Sequence, residues 1–179
     1  MRVHELIGKE LTWQKPQFAR NYFEMFADDQ RIATLEWQSM WRNAAVASTP
    51  SNLWHFDRVG FWQRRIEITL EGRDTAGLYG VYTPNWAGDQ GKLCVASGDD
   101  YEWKRTNFWG TQFEWLSLRD ADDPKPLLQF FKRTGFGKAR AEIGFLATGI
   151  KPETVDLLVA FGWYLLVLKE RDTAAAAAT

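Results

Sequence analysis

Residues Val155 to Leu168 read VDLLVAFGWYLLVL, a run of fourteen residues in which Asp156 is the only charge. Crossing a bilayer as a helix takes roughly 18–20 apolar residues, so a run this short is expected to be enclosed by its own protein. Its flanks favour a helix. Pro152 suits a first helical position, Glu153 and Asp156 lie where the helix dipole favours acids, and Lys169 and Arg171 lie where it favours bases. These signals predict one helix over about 152–170, with Leu158, Val159, Trp163 and Leu166 buried. Gly162 leaves a second arrangement open: acting as a cap, it would end a shorter helix and leave WYLLVLKER as a strand.

From the start to about residue 147 the chain alternates apolar and polar residues and meets turn signals every ten or so positions, the pattern of antiparallel hairpins. Strands are expected at Phe18–Ala27, Arg31–Trp37, Arg42–Ser48, Leu53–Val59, Trp62–Glu71, Leu78–Thr83, Lys92–Ser97, Tyr101–Arg105, Gln112–Leu118, Leu127–Thr134 and Lys138–Ala147. Arg119 to Pro126 (RDADDPKP) is expected to be a loop, because paired prolines and acidic turn formers oppose regular structure. In Tyr101-Glu102-Trp103 and Phe113-Glu114-Trp115, and nearly so in Phe23-Glu24-Met25, a strand would put two large side chains on one face and the carboxylate on the other. A greasy helix among strands implies a mainly β fold: a closed antiparallel barrel with its interior plugged by the C-terminal helix.

At 179 residues one domain is expected, over 1–172, followed by an Ala-rich tail at 173–179 that is either a frayed helical extension or disordered. A formal net charge of -1 offers no general attraction to nucleic acid. Cys94 is the only cysteine and His4 and His55 the only histidines, so an intrachain disulfide is excluded, and neither a metal nor another cofactor is expected. The N-terminus has no apolar core behind a basic start, so the expected location is the cytoplasm, with peripheral contact to a membrane.

The order of about 10–12 antiparallel strands followed by PETVDLLVAFGWYLLVLKERD resembles the tubby C-terminal superfamily, which includes the LURP-one-related proteins and the phospholipid scramblases. The resemblance is one of layout, and it implies a barrel with the apolar helix through its centre and an association with lipid. No segment here aligns with the phosphoinositide-binding basic residues of the tubby proteins or with the calcium-binding acidic segment of the scramblases. It therefore assigns no site residue.

The densest basic segment runs from Lys132 and Arg133 through Gly135-Phe136-Gly137 to Lys138 and Arg140. Two glycines can expose backbone N–H groups, and four cations around them could hold a phosphate or lipid headgroup at a hairpin tip. Alternation puts Lys138 and Arg140 on one face. The plainer reading is a solvated hairpin, and no P-loop spacing is present. Most of the ten tryptophans are expected to fill the core, with Trp86 and Trp109, each beside turn formers, as the exposed exceptions. Glu36, Glu102 and Glu114 each adjoin a Trp and could supply a glycosidase pair, and His55 could act as a base with Asp57, but outward carboxylates and a half-buried strand histidine are the commoner cases. No catalytic residue is assigned.

These features point to a non-enzymatic barrel that binds anionic lipid headgroups or a protein partner at one rim. The first alternative is a Trp-lined carrier of a small apolar or sugar ligand, which needs the terminal segment to be a wall strand and the barrel hollow. A carboxylate-dependent hydrolase is the third.

Overall fold

The structure is a computed structural model, and it describes residues 11–16, 21–38, 43–60, 65–72, 77–120, 122–133, 140–147 and 150–177. Twelve strands precede one helix: β1 (Leu11–Gln14), β2 (Tyr22–Ala27), β3 (Gln30–Trp37), β4 (Ala44–Ser48), β5 (Leu53–Val59), β6 (Arg65–Leu70), β7 (Leu78–Pro84), β8 (Gln90–Val95), β9 (Asp100–Arg105), β10 (Gln112–Ser117), β11 (Lys125–Arg133), β12 (Arg140–Phe145) and α1 (Pro152–Ala177). Each strand pairs antiparallel with the next, and β1 closes the ring by pairing with both β2 and β12. Closure leaves no unpaired sheet edge.

Alternation along the strands decides what faces inward. Phe23 and Met25, Tyr101 and Trp103, and Phe113 and Trp115 are buried, while the intervening Glu24, Glu102 and Glu114 lie on the outer face and pair with Arg31, Gln90 and Lys104. The triplets thus line the wall as their spacing predicts.

The terminal run is helical throughout, and every residue from Thr154 to Leu168 is buried. Burial on all sides of a helix requires neighbours on all sides, and the barrel supplies them. Trp163 stacks on Trp13 of β1 at 5.6 Å and meets the edge of Phe23 of β2. Tyr164 stacks on Trp37 of β3 at 4.9 Å, and Phe161 packs against Phe56 of β5, Tyr82 of β7 and Trp115 of β10. Partners drawn from so many strands place α1 along the barrel interior. Two directional bonds fix its depth: the Trp115 indole N–H donates to the Leu158 carbonyl at 3.0 Å, and the Tyr164 hydroxyl donates to the Asn43 carbonyl at 2.6 Å.

Gly162 does not cap the helix. It lies in the buried stretch, and a Cβ there would come within 2.4 Å of Cζ and 2.8 Å of Cε2 on the Phe130 ring. The missing side chain is the space that Phe130 occupies. The single charge of the apolar run has an equally local reason. Asp156, 2% exposed, accepts a hydrogen bond from the Thr49 hydroxyl at 2.5 Å and one from the Asn52 amide at 2.7 Å. Thr49 and Asn52 bracket the turn between β4 and β5 and bond each other, so this turn holds the start of the helix.

Several boundaries differ from the expected ones for identifiable reasons. β1, only four residues long, has too little alternation to stand out, yet it closes the barrel. β8 runs two residues earlier than expected because Ala96 to Asp99 make a tight turn, with Gly98 at a φ of 85°. Pro126 belongs to β11 rather than to the preceding loop: it sits opposite Leu116 where the register shifts, and such an irregularity tolerates a residue without an N–H. The helix continues past residue 170 into an exposed turn, Thr173 to Ala177.

Two substitutions test this packing. Ala is intrinsically the better helix former by about 1 kcal/mol, yet Gly162→Ala should lower stability by about 1–3 kcal/mol in denaturant unfolding, because overpacking against Phe130 outweighs propensity. Asp156→Ala should lower the melting temperature through a loss of about 1–3 kcal/mol, since it leaves the Thr49 and Asn52 donors without their buried acceptor. Gain of stability in the first variant or no change in the second would contradict the described contacts.

Candidate functional site

With α1 filling the interior, the surfaces open to a ligand are the outside of the wall and the two rims. The lower rim is where α1 begins. Here Asp99, in the turn between β8 and β9, accepts hydrogen bonds from Lys151 at 2.9 Å and Arg119 at 3.1 Å. The Lys151 bond, helped by Arg119, holds the Asp99 carboxyl below the usual carboxylate range against the opposing effect of burial. Two clefts flank the first helical turn. One of about 540 Å³ is lined by Tyr79, Ser97 and Glu153 among others, and one of about 450 Å³ by Tyr101, Arg119, Asp123 and Lys125 among others. Lys151 and Thr154 line both.

The upper rim is where α1 leaves. Glu170 pairs with Lys132 of β11 at 2.8 Å, Asp172 pairs with Arg58 of β5 at 2.9 Å, and the Arg171 guanidinium lies 4.3 Å from the centre of the Trp37 ring. Because all neighbouring strands are antiparallel, alternate connections fall on alternate rims, and their sequences separate sharply. Among the described residues, the connections at the lower rim contain no Phe, Trp or Tyr, and carry Asp28, Asp29, Glu71, Asp99, Asp120, Asp122 and Asp123 against Arg119 and Lys151. Among the described residues, those at the upper rim carry Lys15 against Asp89 and include Trp86, Phe108 and Trp109. All three are exposed, at 102%, 85% and 82%.

The basic segment singled out in the sequence spans the β11–β12 hairpin at this rim. Lys132 and Arg133 point to opposite faces: Lys132 reaches Glu170 of the emerging helix, and Arg133, on the outer face, donates to Glu142 at 2.7 Å. Lys138 lies outside the described residues, with Gly135, Phe136 and Gly137. Arg140 occupies the register position directly opposite Arg133, on the last rung of the pair.

The carboxylates considered for catalysis do not converge. Glu36, Glu102 and Glu114 lie on the outer wall, and none lines either cleft. His55 Nε2 lies 2.9 Å from Glu71 on the neighbouring strand connection, a half-exposed pair that does not involve Asp57. Among the described residues no group of three or more His, Cys, Asp or Glu side chains is placed to hold a metal ion, and no helix is long and apolar enough to cross a membrane.

Compared with protein-family models, with curated proteins and with solved structures, the chain matches none. The residues that reading the sequence passed over at the upper rim are Phe108, which repeats the setting of Trp86, and Arg105, whose guanidinium reaches Asp89 at 3.3 Å and ties two neighbouring hairpins together. The repeated Asn-x-x-Gly at 85–88 and 107–110 is the signal that could have found them.

Proposed function

We propose that this protein is a non-enzymatic, tubby-like or scramblase-like barrel that attaches to anionic membrane surfaces through its upper rim. The observation that carries the reading is the contrast between the two rims among the described residues: acidic connections without aromatics at the lower rim, and exposed Trp86, Phe108 and Trp109 beside Arg105 and Lys169 at the upper one. Such a distribution orients the molecule in the field of a negative surface, and each basic residue near that surface contributes about 1 kcal/mol. Arg133 and Arg140 are register partners at the end of the β11–β12 hairpin. The resemblance of layout to the tubby and scramblase superfamily supports the lipid half of the proposal. The carrier alternative needs a hollow barrel, whereas the helix occupies the interior. The hydrolase alternative rests on Glu36, Glu102 and Glu114, which lie on the outer wall away from both clefts.

Sedimentation with vesicles tests the reading. Retention on phosphatidylserine–phosphatidylcholine vesicles should exceed retention on phosphatidylcholine alone and should fall as salt rises. Arg133→Gln with Arg140→Gln should weaken binding about 30-fold, the loss of about 2 kcal/mol. The melting temperature should hardly change, because an exposed ion pair such as Arg133–Glu142 adds little stability. Equal and negligible retention on both vesicle types would remove the lipid reading.

A further inference from the structure

Two neighbouring turns at the upper rim follow one plan. Asn85-Trp86-Ala87-Gly88 and Asn107-Phe108-Trp109-Gly110 each begin with Asn and end with Gly. In both, the Gly N–H donates back to the Asn carbonyl, at 3.2 Å and 3.4 Å, and Gly88 and Gly110 take φ values of 70° and 66°. This is the hydrogen bonding of a β-turn with Asn first, closed by a glycine in the left-handed region that other residues rarely adopt. The Asn side chains reinforce it. Asn107 Oδ1 accepts from the N–H groups of Thr111 and Gln112, both at 3.0 Å, and its amide donates to the Thr111 hydroxyl at 2.7 Å. Asn85 bonds the Asp89 carboxylate at 3.2 Å.

The two turns are also tied to each other. Arg105 donates its backbone N–H to the Asp89 carbonyl at 3.1 Å and its guanidinium to the Asp89 carboxylate at 3.3 Å, across the β8–β9 pairing. Burial alone would raise the Asp89 carboxyl, but the Asn85 hydrogen bond and the charges of Lys169 and Arg105 bring it below its ordinary value, so this clamp is ionised at neutral pH.

The outcome is that the residues at the middle of each turn face solvent: Trp86, Phe108 and Trp109 are nearly as exposed as free side chains, and Phe108 and Trp109 pack edge to face at 5.5 Å. Burying a large apolar side chain is worth roughly 1.5–3 kcal/mol. Here two capped, cross-linked turns hold such side chains out in water. Exposed large rings gathered on neighbouring turns mark a contact surface, and its setting constrains what covers it. The rings stand on projecting tips rather than in a groove, they lie beside Arg105 and Lys169 at the rim opposite the acidic one, and Trp is the residue suited to the boundary between headgroups and acyl chains. We propose that Trp86, Phe108 and Trp109 form a rigid interfacial anchor that inserts into an anionic bilayer, so that the barrel docks with this side of its upper rim against the membrane and its acidic rim in water. The proposal rests on the membrane reading above and adds insertion, orientation and named residues to it.

The test uses the full chain with phosphatidylserine–phosphatidylcholine vesicles and with phosphatidylcholine vesicles, each with and without bromine on the acyl chains. On the anionic vesicles, brominated lipid should quench part of the tryptophan emission. Trp86→Ala with Trp109→Ala should remove that quenching, and adding Phe108→Ala should bring the total loss of retention to about tenfold or more, since interfacial binding scales with buried apolar area. The melting temperature of these variants should match the wild type, because the rings make few contacts in the free protein. Salt-dependent binding of the wild type with no quenching, or undiminished retention of the triple variant, would overturn the anchor while leaving adsorption to headgroups standing. Quenching that is equal on neutral and anionic vesicles would uphold the anchor and overturn the electrostatic reading. Failure to bind either vesicle would overturn both.

Discussion

The structure depends on the fit between one helical layer, Phe161 to Tyr164, and the rings of the surrounding wall. Trp163 against Trp13 and Phe23, Tyr164 against Trp37, and Phe161 between Phe56, Tyr82 and Trp115 span the barrel from side to side, with Phe130 seated on the bare backbone of Gly162. A closed sheet of this many strands encloses space that its own side chains must fill or leave to a ligand. Here large wall rings and a helix fill it together. The cost is visible in the polar atoms carried along: the indole N–H groups of Trp13, Trp37, Trp54 and Trp163 and the hydroxyl of Tyr82 are buried with no hydrogen-bond partner among the described residues. Each such group is worth about 1–3 kcal/mol unmade, and the volume of the ring offsets it.

With the interior filled by α1, the topology makes the two rims chemically independent. In an up-and-down barrel the connections alternate between ends, so a chain that alternates the chemistry of its turns writes two different surfaces. Among the described residues, acidic connections without aromatics gather where α1 starts, and the exposed Trp86, Phe108 and Trp109 lie where it leaves. The helix links the two: Asp156 is held by the Thr49–Asn52 turn at one end, and Glu170 and Asp172 are paired with Lys132 and Arg58 at the other. A substitution at either end therefore bears on the core as well as on the surface.

Much of this was legible before any coordinates. Leu53–Val59 emerges as expected to the residue, and the inward rings of Tyr101-Glu102-Trp103 and Phe113-Glu114-Trp115 follow from a period of two. The helical state of 155–168 follows from its flanking charges and its near absence of polar groups. β1 was not legible, because its four residues are stabilised by pairing with strands far away in sequence rather than by their own pattern. The partners of Asp156 and the reason for Gly162 are likewise long-range, some 104 to 107 residues away for Asn52 and Thr49. At the candidate site, the exposure of Trp86 and Trp109 could be read from their turn-forming neighbours. Their joining into one patch could not, since that depends on Arg105 reaching Asp89 across the β8–β9 pairing.

The central claim is that α1 is the core of the barrel rather than an element resting on it, and native-state hydrogen exchange tests this most directly. If the helix is enclosed, the amides of Leu157 to Val167 can exchange only when the barrel opens, so their protection should equal that of the wall amides in β10 and β11 and correspond to global unfolding. The exposed turn from Thr173 to Ala177 should exchange rapidly in the same experiment. Exchange of Leu157 to Val167 through an opening of much lower free energy than that of the strands would show that the helix leaves without unfolding the wall, and would contradict the account.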